Sequence, residues 1–236
     1  MSKIAVVTGA GSGVGQAVAL WMAREGWSVA LVGRRAEPLE QTIRQAGQNG
    51  SNMLAAPCDV ASAEGVEKMA AAVAQRLGPP QVLVNAAGIN IPRRSLDVLS
   101  VDDFRKVVAV NLIGAFNCVH ALLPGMRRQG NGTIVLIVSD AGVIANAKAG
   151  AAYVASKFGE RGLAQSINAE ERDKGIRATA IFPGDVNTPL LDQRPVPPPP
   201  EARARMLQPE DIAACVMLAI NLPPRAIVEE LLVRPR

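Results

Sequence analysis

The chain has 236 residues, 49% of them hydrophobic, with 25 Lys and Arg against 21 Asp and Glu and a formal net charge of +4. That length suits one α/β domain with a sizeable core, spanning 1–236, and would leave two independent domains cramped. The mild, scattered positive charge and only seven Phe, Tyr and Trp residues exclude base-stacking nucleic-acid modules, while anionic small molecules remain suitable ligands.

Short apolar runs alternate with longer helical ones. "IAVVT" (4–8) reads as a strand leading into a glycine turn and a helix over about 14–25. "SVALVG" (28–33) is the second strand, with a helix through "EPLEQTIRQAG", and "NMLAAPCDV" (52–60) carries the third strand before the helical "AEGVEKMAAAVAQRLG". "QVLVNAAG" (81–88) is the fourth, one long helix occupies most of 100–128, and "GTIVLIVS" (132–139) is the fifth. A helix containing Tyr153 runs to about 173, "IRATAIFPG" (176–184) is the sixth strand, "EDIAACVMLAINL" (210–222) is the last substantial helix, and "AIVEELLV" closes as a partly charged seventh strand. Strands spaced by helices of this length form right-handed βαβ units, which predicts a doubly wound parallel sheet. The proline-rich 185–208 breaks the rhythm; it continues neither helix nor strand, and its place after the sixth strand suits a flap over the crevice at the strand ends.

No run approaches about 18 apolar residues, and the N-terminal one is too short for a signal peptide, so no membrane partner is expected. Three widely spaced cysteines, Cys58, Cys118 and Cys215, with a single histidine make a Cys/His metal site implausible and suit a reducing, cytoplasmic setting.

"VVTGAGSGVGQAVA" (6–19) sets Gly9, Gly11, Gly13 and Gly15 between a strand and a helix, where backbone N–H groups can approach a pyrophosphate. No Gly-Lys-Ser/Thr follows, so it is not a P-loop, and the G-x-G-x-x-G spacing fails because its last position falls on Val14 or Gln16. In "LVGRRAEP" no carboxylate stands at the end of the second strand to accept from a ribose 2′-hydroxyl. The stretch offers Arg34 and Arg35, whose guanidinium groups suit a 2′-phosphate, so NADP(H) is the preferred cofactor and NAD(H) the alternative.

The catalytic groups emerge by elimination. The only histidine, His120, lies in a helix and reads as a packing residue; "IVSDAG" lacks the G-x-S-x-G elbow; no carboxylate/His cluster points to a metal. Tyr153, the only tyrosine, and Lys157 stand at i and i+4 on one helix face. A phenol ordinarily titrates at about 10, and a neighbouring ammonium favours the phenolate. In a chain that opens on a dinucleotide turn, the pair suits the proton transfer that accompanies hydride transfer to a carbonyl. The alanines around the pair predict a close-packed helix surface, with Phe158 in the core.

"TGAGSGVG" (8–15), "NAAG" (85–88), Asn111, Ser139, "YVASK" (153–157) and "PGDVNT" (183–188) together resemble the short-chain dehydrogenase/reductase family, over residues 3 to about 233. The resemblance implies a single Rossmann-type domain with a seven-stranded parallel sheet, usually in homodimers or homotetramers, that reduces carbonyls or oxidises alcohols. It also accounts for the failed glycine spacing, since this family uses T-G-x-x-x-G-x-G. It implies Tyr153 as general acid/base, Lys157 on the nicotinamide ribose, Ser139 on the substrate oxygen and Asn111 supporting a water relay. Gly9, Ser12, Gly13, Val14 and Gly15 would line the pyrophosphate turn, with Arg34 and Arg35 toward the 2′-phosphate and Asp59 and Val60 beside the adenine. Asn85, Ala86 and Gly88 would lie along the cofactor, and Pro183, Gly184, Val186 and Thr188 would contact its nicotinamide end.

The expected activity is therefore ketone or aldehyde reduction with NADPH. The alternatives are an NAD(H)-dependent alcohol, sugar-alcohol or hydroxyacyl dehydrogenase, and a non-catalytic dinucleotide-binding regulatory protein. Asp140 departs from the family by standing beside Ser139, where its carboxylate either points away or selects a cationic or hydroxyl-rich substrate. The proline-rich segment contains no tyrosine to clamp an aromatic substrate.

Overall fold

The strands are built almost entirely from Val, Ile, Leu and Ala because the sheet is covered on both faces. The computed structural model describes residues 3–236. The strands are β1 (Ile4–Thr8), β2 (Ser28–Gly33), β3 (Met53–Pro57), β4 (Val82–Asn85), β5 (Gly132–Ile137), β6 (Ile176–Pro183) and β7 (Glu230–Val233). All pair in parallel in the order β3-β2-β1-β4-β5-β6-β7, the doubly wound arrangement expected. The helices are α1 (Gly13–Arg24), α2 (Ala36–Gln45), α3 (Ala63–Arg76), α4 (Val101–Val108), α5 (Gly114–Gln129), α6 (Ala151–Glu171), α7 (Pro200–Arg203) and α8 (Pro209–Asn221). Local chemistry sets several ends: the Ser62 and Ser100 hydroxyls accept from the N–H groups of Gly65 and Asp103 at 3.1 Å to start α3 and α4.

Alternate residues of each strand feed two cores. Ala5 and Val7 face α1 and α8, with Val18, Met22, Ile212 and Val216. Val6 faces the other way, toward α3, α5 and α6, with Val66, Cys118 and Ile167. From β1 the chain moves outward to β2 and β3, then crosses back through α3 to β4 on the other side of β1. This reversal of strand order separates the connections leaving β1 and β4 and opens a crevice at their carboxyl ends.

The turn from β1 into α1 is pressed against β4. Gly9 has φ +67°, and a Cβ there would lie 2.7 Å from the Ala86 carbonyl oxygen; one on Gly15 would lie 2.5 Å from the Gly9 oxygen. The Thr8 hydroxyl holds the same junction, donating to Asn85 Oδ1 at 3.0 Å and accepting from the N–H groups of Ala86 and Ala87 at 3.1 and 3.0 Å.

Several local expectations are corrected. The helix over 100–128 is interrupted at Ala109–Ile113 by a π-turn, a widened turn often found where a helix serves a site. By length and apolarity Val101–Gln129 would also reach across a membrane; here its second half packs on β4 and β5. Within 185–208 the prolines begin short helices rather than forbidding them, because proline is tolerated in a first turn: Pro189–Gln193 is a 3₁₀ turn and Pro200–Arg203 is α7. β7 forms over only the last four residues of "AIVEELLV". His120 is exposed and stacks on Phe116 with ring centroids 5.7 Å apart, and Phe158 is 42% exposed rather than in the core.

Two glycines with positive φ separate backbone strain from collision. Gly26 has φ +78° with nothing within 4 Å of an added Cβ, so Gly26→Ala should lose about 1–2 kcal/mol of unfolding free energy. Gly9→Ala should lose about 1–3 kcal/mol more, because its methyl meets the backbone of Ala86 and Ala87 just after β4. Urea titrations that give the two variants equal stability would refute this account of the turn.

Candidate active site

The carboxyl ends of β1, β4, β5 and β6 open on a cleft of about 870 Å³, in the range of small-molecule and cofactor sites. Gly9, Ser12, Gly13, Val14, Gly15, Ala86, Gly88, Ser139, Tyr153, Lys157, Pro183, Gly184, Val186 and Thr188 all line it. The structure thus gathers most of the residues singled out from sequence into one cavity.

At one end lies the start of α1. Ser12 occupies the N-cap position but makes no side-chain hydrogen bond, and no acidic residue follows in the first turn. The unpaired N–H groups and the positive end of the helix dipole therefore suit an anion. A Cβ on Gly13 would lie 3.1 Å from Thr188 Cγ2, so the loop after β6 runs close over this turn. Arg34 and Arg35 stand exposed just past β2, outside the cleft lining, and no ion pair holds either among the described residues. The nearby Glu37 is already paired with Arg44 at 2.5 Å. Asp59 is also exposed and accepts from the Ala61 N–H at 3.1 Å. Val60 is buried against Gly114, and Asn85 lies beneath the cleft in its bond with Thr8; neither side chain lines the cavity.

At the other end, α6 presents Tyr153 and Lys157 one turn apart, with Lys157 Nζ 5.6 Å from the Tyr153 ring centroid. Ser139, just past β5, accepts from the Ala141 N–H at 3.1 Å and donates to Asp140 Oδ1 at 3.3 Å. Asn111 lies under the cleft in the π-turn. Its Oδ1 accepts from the Ile89 N–H at 2.8 Å, and its Nδ2 donates to the Ile89 carbonyl and to Ser156 Oγ, both at 3.0 Å. Ser156 Oγ in turn donates to the Tyr153 carbonyl at 2.8 Å, so Asn111 ties the loop after β4 to the turn of α6 that carries the tyrosine. A Cβ on Gly88 would sit 3.5 Å from Asn111 Oδ1 and 3.8 Å from Lys157 Nζ, ordinary contact distances that place Gly88 beside both.

Sequence reasoning missed the partner of Lys157. Lys157 is 3% exposed, and its ammonium donates to the Ile137 carbonyl at 3.0 Å and to Glu160 Oε2 at 2.6 Å. Glu160 is fully buried, and its Oε1 has no hydrogen-bond partner. Burial pushes the Glu160 carboxyl up to about 7 although Lys157 pulls it down; burial also pulls Lys157 down, but the attraction of Glu160, that of Tyr153 and the hydrogen bond to Glu160 together outweigh it and raise Lys157. The i, i+3 spacing was a visible signal, but on its own it describes a surface pair as well as a buried one. Two further residues escaped notice, Arg94 and Arg194, both lining the cleft.

The family model for short chain dehydrogenase matches residues 3–196. Among curated proteins, the chain is 36% identical over 239 residues to the glycine betaine reductase ATRR of Emericella nidulans; the match covers 99% of this chain and 19% of that protein's length. It is 34% identical over 233 residues to an uncharacterized oxidoreductase of Staphylococcus aureus, covering 99% of this chain and 97% of the relative. Among solved structures, an alcohol dehydrogenase from the archaeon Thermococcus sibiricus, complexed with 5-hydroxy-NADP, superposes with a TM-score of 0.88 at 31% identity, covering 100% of this chain and 97% of the other.

The Glu160 carboxyl makes the stability of the fold depend on pH with a definite sign. Its folded value lies above the ordinary 4.5, so its contribution is full below about 4.5 and is lost as pH rises through about 7. Glu171, held down to about 2 by Arg127 and Lys174, acts in a separate window below 4.5. Between about pH 5 and pH 8 the thermal midpoint of the wild type should fall relative to that of Glu160→Gln; parallel curves would remove Glu160 as the titrating group.

Proposed function

The chain belongs to the short-chain dehydrogenase family, and from that membership we propose that residues 1–236 form one catalytic domain that reduces a ketone or aldehyde with NADPH. The observation that carries the reading is the single cleft that holds the uncapped start of α1 at one end and Tyr153, Ser139 and Lys157 at the other. The α1 turn fits a pyrophosphate: its amides are free, and Gly13 leaves the space below Thr188 open. Arg34 and Arg35 support a 2′-phosphate because they are exposed, unpaired with any carboxylate among the described residues, and adjacent to the strand end. The archaeal relative bound to 5-hydroxy-NADP supports the same preference.

When bound, the dinucleotide supplies or takes up the hydride. Ser139 Oγ and the Tyr153 hydroxyl hold the substrate oxygen, and Tyr153 gives it a proton during reduction. The Lys157 ammonium, 5.6 Å from the ring centroid, lies where its charge favours the alkoxide that develops on the substrate oxygen. Asn111 keeps the α6 turn in register with the loop after β4, and Gly88 leaves room for a water between Asn111 and Lys157. Glu160 holds Lys157 charged in its buried position. The apolar side chains exposed on the helices over 101–129 and on α6, including Phe116 and Phe158, support a homodimer or homotetramer built through these helices.

Tyr153→Phe should lower turnover by about 10²–10⁴-fold with any accepted carbonyl while leaving NADPH binding within about threefold; near-normal turnover would remove Tyr153 as the acid. Arg34→Ala should weaken NADPH binding by about tenfold or more and leave NADH binding unaltered. Equal affinities of the wild type for the two cofactors, measured by fluorescence titration, would overturn the NADP(H) preference.

A further inference from the structure

Arg177 and Arg94 are each held by several backbone carbonyls, and they differ in one respect. Arg177 saturates its guanidinium: Nε donates to Thr133 Oγ1, Nη1 to the carbonyls of Pro223 and Ala226, and Nη2 to those of Ile220 and Leu222. All five N–H bonds are used, so a carbonyl cradle alone accounts for it. Arg94, 6% exposed, uses three: Nε to the Ile91 carbonyl at 2.6 Å, Nη1 to that of Lys148 at 3.3 Å and Nη2 to that of Gln193. One N–H on each terminal nitrogen is left over, and this residue lines the cleft.

The charge around Arg94 is not balanced by the protein. Burial lowers the Arg94 pKa most, Arg194 lowers it further, and Tyr153 acts in the opposite sense; no carboxylate contributes. Arg194 is paired with Asp185, and Lys157 with Glu160. Among the residues lining the cleft, Arg94, Lys148, Lys157, Arg194 and Arg234 face only Asp140 and Asp185. A desolvated cation beside a second cation costs free energy that an arriving anion recovers. Two free N–H groups on neighbouring nitrogens form the planar fork that receives both oxygens of a carboxylate.

We infer that Arg94, with Arg194 beside it, binds a carboxylate carried by the substrate, so that the preferred substrates are oxo acids and the corresponding hydroxy acids. This deepens the carbonyl-reductase reading and rests on it. Arg94 also joins three loops, through Ile91, Lys148 and Gln193, so the bound carboxylate would lie where the loop after β4, the segment before α6 and the proline-rich segment meet.

The test compares a series of 2-, 3-, 4- and 5-oxo carboxylates with their methyl esters and with aminoketones of equal length, using NADPH. The wild type should favour the best acid over its ester by about tenfold or more in kcat/KM. Arg94→Gln and, separately, Arg194→Gln should collapse that ratio, with Arg94→Lys restoring part of it. A purely structural role for Arg94 would lower acid and ester together and leave the ratio unchanged, which overturns the proposal. So would a wild type that favours esters, or one that favours aminoketones through Asp140. Calorimetric binding of the unreactive dicarboxylate succinate to the protein with NADP⁺ separates the two readings. Binding that Arg94→Gln abolishes, without turnover of any carbonyl, would keep the anion site and reject the reductase. Absence of Arg94-dependent binding, together with turnover of neutral ketones, would do the reverse.

Discussion

All seven strands run parallel, so every connection has to cross back over a sheet face and both faces become buried. The order then reverses at β1, with β2 on one side and β4 on the other, and the crevice at their carboxyl ends follows from that reversal. Much of the cleft lining sits on segments that leave the strand ends: the turn before α1, the loop after β4, Ser139 after β5 and the stretch after β6. α6 is the exception. It brings Tyr153 to the cleft by packing along β6 and against the π-turn that holds Asn111.

The buried charges divide by what they do. Glu171 is held by Arg127 and Lys174 at 2.6 and 2.9 Å at the far end of α6 and serves the fold. Lys157 and Glu160 are buried at the working end of the same helix, where Oε1 of the glutamate goes without a partner. A half-satisfied buried pair is a poor way to gain stability, since desolvation offsets most of the attraction. Lys157 itself lines the cleft, with its Nζ 5.6 Å from the Tyr153 ring centroid. Arg94 belongs to the same group: a cation kept out of water with two donors in reserve, facing a cavity.

Particular residues show how far the primary structure could be read. The strand runs and the order of helices were legible because apolar alternation and glycine punctuation are local signals, and "TGAGSGVG" with "YVASK" carries the family resemblance in contiguous letters. His120 packs as expected but on an exposed face, against Phe116, and Phe158 lies outside the core, because an apolar helix can bury either side and which side faces the sheet depends on neighbours far away in sequence. The prolines of 185–208 were read as breakers, yet Pro189 and Pro200 open short helices, because proline's missing N–H costs nothing in a first turn.

By itself the sequence determined the alternation of strand and helix, the glycine turn, the absence of an acidic residue at the end of β2, and the i, i+4 spacing of Tyr153 and Lys157, all of which depend on residues within a turn or two of one another. Only the tertiary structure decided which of the charged side chains are buried and unbalanced. Glu160 reads as an ordinary helix residue until α6 is laid on the sheet, and Arg94 as one of two arginines in a loop until segments 54 and 99 residues away close around it. Burial is what turns such groups from solvated charges into determinants of chemistry, because the dielectric and the hydrogen-bond partners a side chain experiences are set by whatever the rest of the chain folds against it.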